Sequence, residues 1–267
     1  MPEPHPEIVA SRIVERLRAA GCVFAEDEAR LLTEAADSPG RLEELVSRRV
    51  AGEPLEPLLG WVEFCGLRLR VFPGVFVPRR RTELLARRAA GLAQAAVDRA
   101  GAAVVVDLCC GVGAIGAVVR DAVPAAELYA ADIDPAAVRC ARHNLPAGRV
   151  FEGDLFSALP SGLRGRVDVL AVNAPYVPTA AIALMPPEAR DYEPGVALDG
   201  GADGLDIHRR IAAEAAAWLA PGGTLLIEAG EKQAETSAAL FGAAGLVPSI
   251  ESDDEVGATV VLAVAPR

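Results

Sequence analysis

The tightest limit on how this chain can fold is a glycine-rich turn set between a strand and a helix. Val104-Val105-Val106-Asp107-Leu108 is short and Val-rich, as a buried strand is, and Gly111-Val112-Gly113-Ala114-Ile115-Gly116 follows it as Gly-x-Gly-x-x-Gly. Glycines in such a turn let a ligand come close to the backbone. Asp132, about twenty positions on at the end of a second strand, is placed to accept both ribose hydroxyls of a nucleoside. Around this unit, strands at 104–108, 128–131, 150–151, 167–172, 224–228 and 258–264 alternate with helices at 114–120, 135–143, 205–219 and 234–244, with a further apolar run at 246–250. Strand–helix alternation predicts an α/β fold with a parallel sheet covered on both faces.

Upstream the pattern differs. Residues 8–50 carry apolar positions at helical spacing, divided by Gly21 and the Asp37-Ser38-Pro39-Gly40 turn, which predicts three short helices and a small helical domain over 1–56. Residues 57–78 alternate around Gly66 and read as a linking β-hairpin, and 79–267 form the main domain. Five arginines lie between Arg79 and Arg88, where a helix begins that runs to about Arg99; a solvated helix face is the expectation, ahead of a surface for an acidic partner or RNA.

A chain of 267 residues, 52% hydrophobic, has ample material for a core. Its formal charge of −11 argues against tight binding along nucleic acid, which depends on phosphate neutralisation by Lys and Arg. No apolar stretch reaches membrane-spanning length, and the start MPEPHPE lacks the pattern of a signal peptide, so a cytoplasmic monomer is expected. Cys22, Cys65, Cys109, Cys110 and Cys140 show no Cys-x-x-Cys spacing and are expected as reduced thiols. His5 falls in a Pro-rich tail expected to be disordered, and His143 and His208 read as helix-surface residues. No metal site is expected.

The glycine-rich turn suits a dinucleotide oxidoreductase as well as an enzyme that uses S-adenosylmethionine. Asp107, inside the first strand, is placed to orient the turn or to meet the positive amino-acid end of a methionine moiety. Glu152-Gly153-Asp154 places a carboxylate within reach of an adenine amino group. Asn173-Ala174-Pro175-Tyr176 leaves the 167–172 strand at its carboxyl end, where open α/β sheets bind ligands. Pro175 has no N–H and holds Ala174 extended, so the turn is stiff and offers an amide, carbonyls and a ring to a planar polar group. That turn has a clear task in methyl transfer and no obvious one in hydride transfer, which puts a methyltransferase well ahead and leaves the oxidoreductase a distant rival.

Asp107-Leu108-Cys109-Cys110-Gly111-Val112-Gly113, Asp132, Asp154-Leu155-Phe156-Ser157-Ala158-Leu159 and Asn173-Ala174-Pro175-Tyr176 resemble the motifs of class I S-adenosylmethionine-dependent methyltransferases. More narrowly they resemble the N5-glutamine methyltransferases of peptide-chain release factors. Arg190-Asp191-Tyr192-Glu193-Pro194, the 197–205 stretch and Pro221-Gly222-Gly223 through Glu228 extend the likeness over about residues 55–240. The resemblance implies a Rossmann-like seven-stranded sheet with its last strand antiparallel, an N-terminal helical domain for partner recognition and a connecting hairpin. It also implies cofactor contacts at Cys109, Cys110, Gly111, Val112, Gly113, Asp132, Leu155 and Asn173, and substrate contacts at Asn173, Ala174, Pro175 and Tyr176, with a release factor as protein partner.

The chain departs from the family's pattern in named places. Ala174 stands where Asn-Pro-Pro-Tyr has its first proline, Cys109 stands where the first glycine lies, and Arg81 replaces an acidic residue in a pattern closer to Arg-Pro-Glu-Thr-Glu. An arginine expected just beyond 251–255 is missing. Rival readings are methylation of an exocyclic base amine, which 4% aromatic content and the acidic charge disfavour, and a cofactor-binding paralogue without catalysis.

Overall fold

A computed structural model describes residues 6–267, so His5 lies outside the described residues. Three helices come first: α1 (Pro6–Ala19), α2 (Ala25–Ala35) and α3 (Pro39–Val50). Gly21 breaks the chain with φ at 95°, and Ser38 caps α3 by accepting the Arg41 N–H, with Pro39 in the first turn. Ile13, Leu17, Leu32, Leu45 and Val46 share one apolar core with Leu58 of a short helix α4 (Leu55–Leu59). The hairpin expected over 57–78 therefore starts later than its alternation suggests, because Leu58 is drawn into the helical core.

The hairpin pairs β1 (Trp61–Phe64) with β2 (Leu67–Arg70) around Cys65 and Gly66, both at positive φ, as a two-residue hairpin turn requires. Val62, Phe64 and Leu69 pack into the main core rather than the helical one. Next come α5 (Glu83–Ala100), β3 (Ala103–Leu108), α6 (Ala114–Ala122), β4 (Ala126–Asp132), α7 (Pro135–Asn144), β5 (Val150–Glu152) and β6 (Val167–Val172). After a long connection containing α8 (Pro187–Tyr192), the chain ends with α9 (Asp206–Trp218), β7 (Leu219–Glu228), α10 (Ala234–Ala243), β8 (Val247–Asp253) and β9 (Ala258–Val264).

The seven-stranded sheet has the order β5-β4-β3-β6-β7-β9-β8, parallel except for β9, which runs antiparallel to both neighbours. Two apolar cores cover its faces. Along β3 the side chains alternate between them, Val105 on one side and Val104, Val106 and Leu108 on the other, so every residue of the strand is buried. On one face Ala86, Ala89, Ala90, Ala93 and Ala96 let α5 lie close to the strands. The run 246–250 opens the edge strand β8, whose mostly exposed positions carry little apolar alternation. Strand β7 also starts before the Pro-Gly-Gly turn, with a register shift opposite Val167 and Val169.

Sheet order reverses between β3 and β6: from β3 the chain moves outward through β4 and β5, then returns to β6 and moves the other way. A crevice opens at such a switch point beyond the strands' carboxyl ends.

Candidate active site

A cavity of about 270 Å³ lies in that crevice. On its first side stand Leu108, Cys109, Gly111, Asp132, Asp154 and Leu155. Asp132 ends β4 and accepts two backbone N–H groups, from Gly111 to Oδ2 at 2.8 Å and from Asp134 to Oδ1 at 2.9 Å. These bonds fasten the glycine-rich turn to the start of α7, where Asp134 caps the helix by accepting the Ala136 N–H. Burial pushes the Asp132 carboxyl up, although the N–H bonds pull it down. Each of its oxygens keeps lone-pair capacity for a further donor such as a ribose hydroxyl.

Asp107 shares a face of β3 with Val105 and is fully buried; its Oδ2 accepts the Gly116 N–H at 2.8 Å near the start of α6. Its carboxylate thus meets the backbone at the end of the glycine-rich motif and does not line the cavity. Its Oδ1 has no partner among the described residues, and burial raises the carboxyl to about 8. Cys110, Val112 and Gly113 likewise stay behind the cavity wall: Cys110 and Val112 are buried, and a Cβ on Gly113 would sit 2.7 Å from Leu145 Cδ1. Cys109 and Leu155 both hold positive φ, 57° and 47°, at strand-end turns on the cavity. All five cysteines are free, and burial raises the Cys109 and Cys110 thiols, which makes them poor thiolate nucleophiles. Asp154 is paired at 2.6 Å with Arg210 of α9, which also lines the cavity.

The second side is built on the turn after β6. Asn173 Nδ2 donates to Thr82 Oγ1 at 3.3 Å, which leaves the side-chain Oδ1 unengaged among the described residues. The Ala174 carbonyl likewise accepts no hydrogen bond there. The neighbouring backbone is pinned: Val177 donates to Leu198 O at 3.0 Å, Gly200 donates to Val177 O at 2.8 Å, and Gln233 Nε2 donates to Tyr176 O at 2.9 Å. Tyr176 donates its hydroxyl to Glu228 Oε1 at 2.9 Å, and burial beside that carboxylate raises the phenol.

Glu228, at the end of β7, was legible only as the last residue of an apolar strand, yet it is 2% exposed and joins Tyr176 to Arg81 Nε at 3.2 Å. Arg79 and Arg81 correct the expectation of a solvated face: both line the cavity, and Arg79 pairs with the buried Glu193 at 2.6 Å. Arg87 and Arg88 do lie exposed on α5, paired with Glu83 and Glu251. His208 is a second correction. It is fully buried between α9 and α10, its Nδ1 2.8 Å from Ser237 Oγ, because the inner face of α9 packs on the sheet. His143 packs edge-on against Phe72 and stays exposed. No cluster that fits a metal ion exists among the described residues.

A switch-point cavity with a glycine-rich turn after β3, a carboxylate ending β4 and an amide turn after β6 defines a class I S-adenosylmethionine-dependent methyltransferase. Residues 82–185 match the methyltransferase small domain family. The release factor glutamine methyltransferase of Geobacter sulfurreducens is 39% identical over 217 residues, covering 80% of this chain and 73% of that protein. The 4-amino-L-phenylalanine/4-methylamino-L-phenylalanine methyltransferase of Streptomyces pristinaespiralis is 39% identical over 214 residues, 79% of this chain and 73% of its own. A methyltransferase from Pyrococcus furiosus shares the fold, with a TM-score of 0.53 at 15% identity over 76% of this chain and 91% of that one. The chain belongs to the release factor glutamine methyltransferase family, and its cofactor is S-adenosylmethionine. The residues present fit that cofactor: a carboxylate with spare lone pairs at Asp132, and apolar walls at Leu108, Ile133 and Leu155 for a flat base.

Proposed function

We propose that this enzyme methylates the side-chain amide nitrogen of a glutamine in a protein, the Gln of the Gly-Gly-Gln loop of a peptide-chain release factor. The observation that carries this reading is the pair of unengaged acceptors, Asn173 Oδ1 and the Ala174 carbonyl, presented by one stiff turn at the cavity. An amide nitrogen is a poor nucleophile because its lone pair is delocalised, and it carries two N–H donors. Asn173 Oδ1 and Ala174 O accept those donors, fix the nitrogen in line for attack, and stabilise the positive charge that grows on it. Tyr176, anchored by Glu228, packs on the amide plane. When bound, S-adenosylmethionine supplies the electrophilic methyl group; Asp132, Asp154, Leu155, Cys109 and Gly111 hold it, with Cys110, Val112, Gly113 and Asp107 shaping the turn from behind the cavity wall. The helical unit over 1–56 serves to recognise the partner.

The departure at Ala174 leaves this chemistry intact, since the acceptor is a backbone carbonyl. Asn173→Ala removes one of the two acceptors. Transfer is expected to fall by about 100-fold or more, with S-adenosylmethionine affinity within about threefold of the parent by calorimetry. A variant that methylates as fast as the parent refutes the assignment.

A further inference from the structure

Two guanidinium groups stand in the acceptor side of the cavity, and each is held from behind by a carboxylate that is almost out of contact with water. Arg81 Nε donates to Glu228 Oε1 at 3.2 Å, and its Cζ lies 5.8 Å from the centre of the Tyr176 ring. Arg79 Nη2 donates to Glu193 Oε2 at 2.6 Å, and its Cζ lies 4.8 Å from the centre of the Phe76 ring. The Glu228 and Glu193 side chains are both 2% exposed, whereas those of Arg81 and Arg79 are 44% and 31% exposed. Anchored in this way, the two arginines lose little further side-chain freedom when a ligand arrives.

Among the described residues the Arg81 guanidinium donates at hydrogen-bond distance through Nε alone, to Glu228, and the Tyr176 hydroxyl is its other polar neighbour, so its Nη1 and Nη2 edge faces no carboxylate at that distance. Such an edge can grip a carboxylate through two parallel N–H bonds, as that of Arg16 grips Glu43 at 2.7 and 2.8 Å. Around Arg81 the lobe is largely apolar, lined by Phe76, Pro175, Met185, Val196 and Leu198, which strengthens a charge pair relative to water. Asp199 also lines the cavity, but Thr179 Oγ1 and the Gly201 N–H already occupy its Oδ1. Arg81 is also the position where the chain carries a cation in place of an acidic residue of the resembling pattern.

We infer that Arg81 is a specificity-determining residue which binds a carboxylate of the acceptor molecule next to the methylated nitrogen. The inference rests on the assignment of this lobe to the acceptor. Two sources can supply such a carboxylate: an acidic side chain beside the glutamine in a protein, or the free carboxyl group of a small amino acid.

The test measures binding to the full-length protein saturated with S-adenosylhomocysteine, by calorimetry, so that it does not depend on transfer. One probe pair is N-acetyl-L-glutamine and its carboxamide; the other is a Gly-Gly-Gln peptide followed by Asp or by Asn, both with blocked termini. The carboxylate member of at least one pair is expected to bind about tenfold tighter, the scale of a charge-assisted bidentate contact. Preference in the first pair marks a small amino acid, and preference in the second marks a flanking acidic side chain. Arg81→Gln is expected to reduce that ratio to about twofold or less, and Arg81→Lys to keep only part of it, because an ammonium lacks the fork. Arg88→Gln, outside the cavity, is expected to keep it. Equal affinity within both pairs, no binding of any probe, or a ratio untouched by Arg81→Gln overturns the inference. Carboxylate preference without methyl transfer to any glutamine keeps this inference and removes the proposed acceptor; transfer without preference does the reverse.

Discussion

Gly204 shows how closely the amide turn is held. Its φ is 79°, and a Cβ there would lie 2.2 Å from both the Tyr176 carbonyl oxygen and Gln233 Nε2. Gln233 bridges Tyr176 O and Asp203 O at 2.9 and 2.8 Å, so an added methyl group displaces the clamp that fixes the turn. Gly204→Ala is expected to cost about 2–4 kcal/mol by urea denaturation and to reduce transfer more than cofactor affinity. A variant with parental stability shows that the clamp has slack. Cys109 gives the opposite case. A non-glycine residue at φ 57° carries roughly 1 kcal/mol of strain, and glycine relieves it while adding a similar entropic cost. Cys109→Gly is expected to leave stability within about 0.5 kcal/mol and to retain cofactor binding; a tenfold loss of affinity shows that the thiol itself contacts the ligand. Asn173, Ala174 and Asp132 were legible because Asp132 ends the strand β4 and the other two leave β6 at the carboxyl edge of the sheet. Asp107 was legible as part of a buried strand, but not which face it takes, and so not that it meets α6 rather than the cavity.

Among the elements, α9 and α10 meet through the buried His208–Ser237 contact. Burial pulls the imidazole down from 6.5 to about 4. Above pH about 6.5 it is neutral in both folded and unfolded chains. As pH falls from about 6.5 to about 4, the unfolded chain takes up a proton that the folded chain refuses, so stability declines through that window by up to about 3 kcal/mol. His208→Gln is expected to flatten this part of a stability–pH curve, and an unchanged acid limb contradicts the assignment. Sequence periodicity located α9 but not its inward-facing histidine, because a polar residue on an apolar helix face becomes visible as buried only once its partner on α10 is in place. Runs that are apolar but for one residue, such as 167–172 with its Asp168, gave a strand without ambiguity. Edge strand β8 and the start of the hairpin did not, since exposure in one case and the pull of a neighbouring core in the other erase the period-two pattern.

At the scale of the whole molecule, the helical unit is tied to the connection that lines the second side of the cavity. Arg49 is 7% exposed; it donates to Glu28 of α2 at 2.6 and 3.1 Å and to Glu188 of α8 at 2.5 Å. Tyr192, at the end of α8, donates to Ala51 O, and Glu193, next in sequence, anchors Arg79 in the cavity wall. Arg49→Ala strands the buried Glu28 carboxylate and is expected to cost about 3–5 kcal/mol, read by urea denaturation; a loss below about 1 kcal/mol shows that the helical unit is held by its apolar contacts alone. Such ties link residues 139 apart in sequence, a separation at which no local pattern operates. The central claim is the acceptor. Its most direct test is the intact mass of release factors from the same organism after incubation with this protein and S-adenosylmethionine, beside variants whose Gly-Gly-Gln glutamine is replaced by alanine. A gain of one methyl group that disappears with the alanine is the predicted result; no gain by the unaltered release factor, with cofactor binding confirmed in the same preparation, contradicts it.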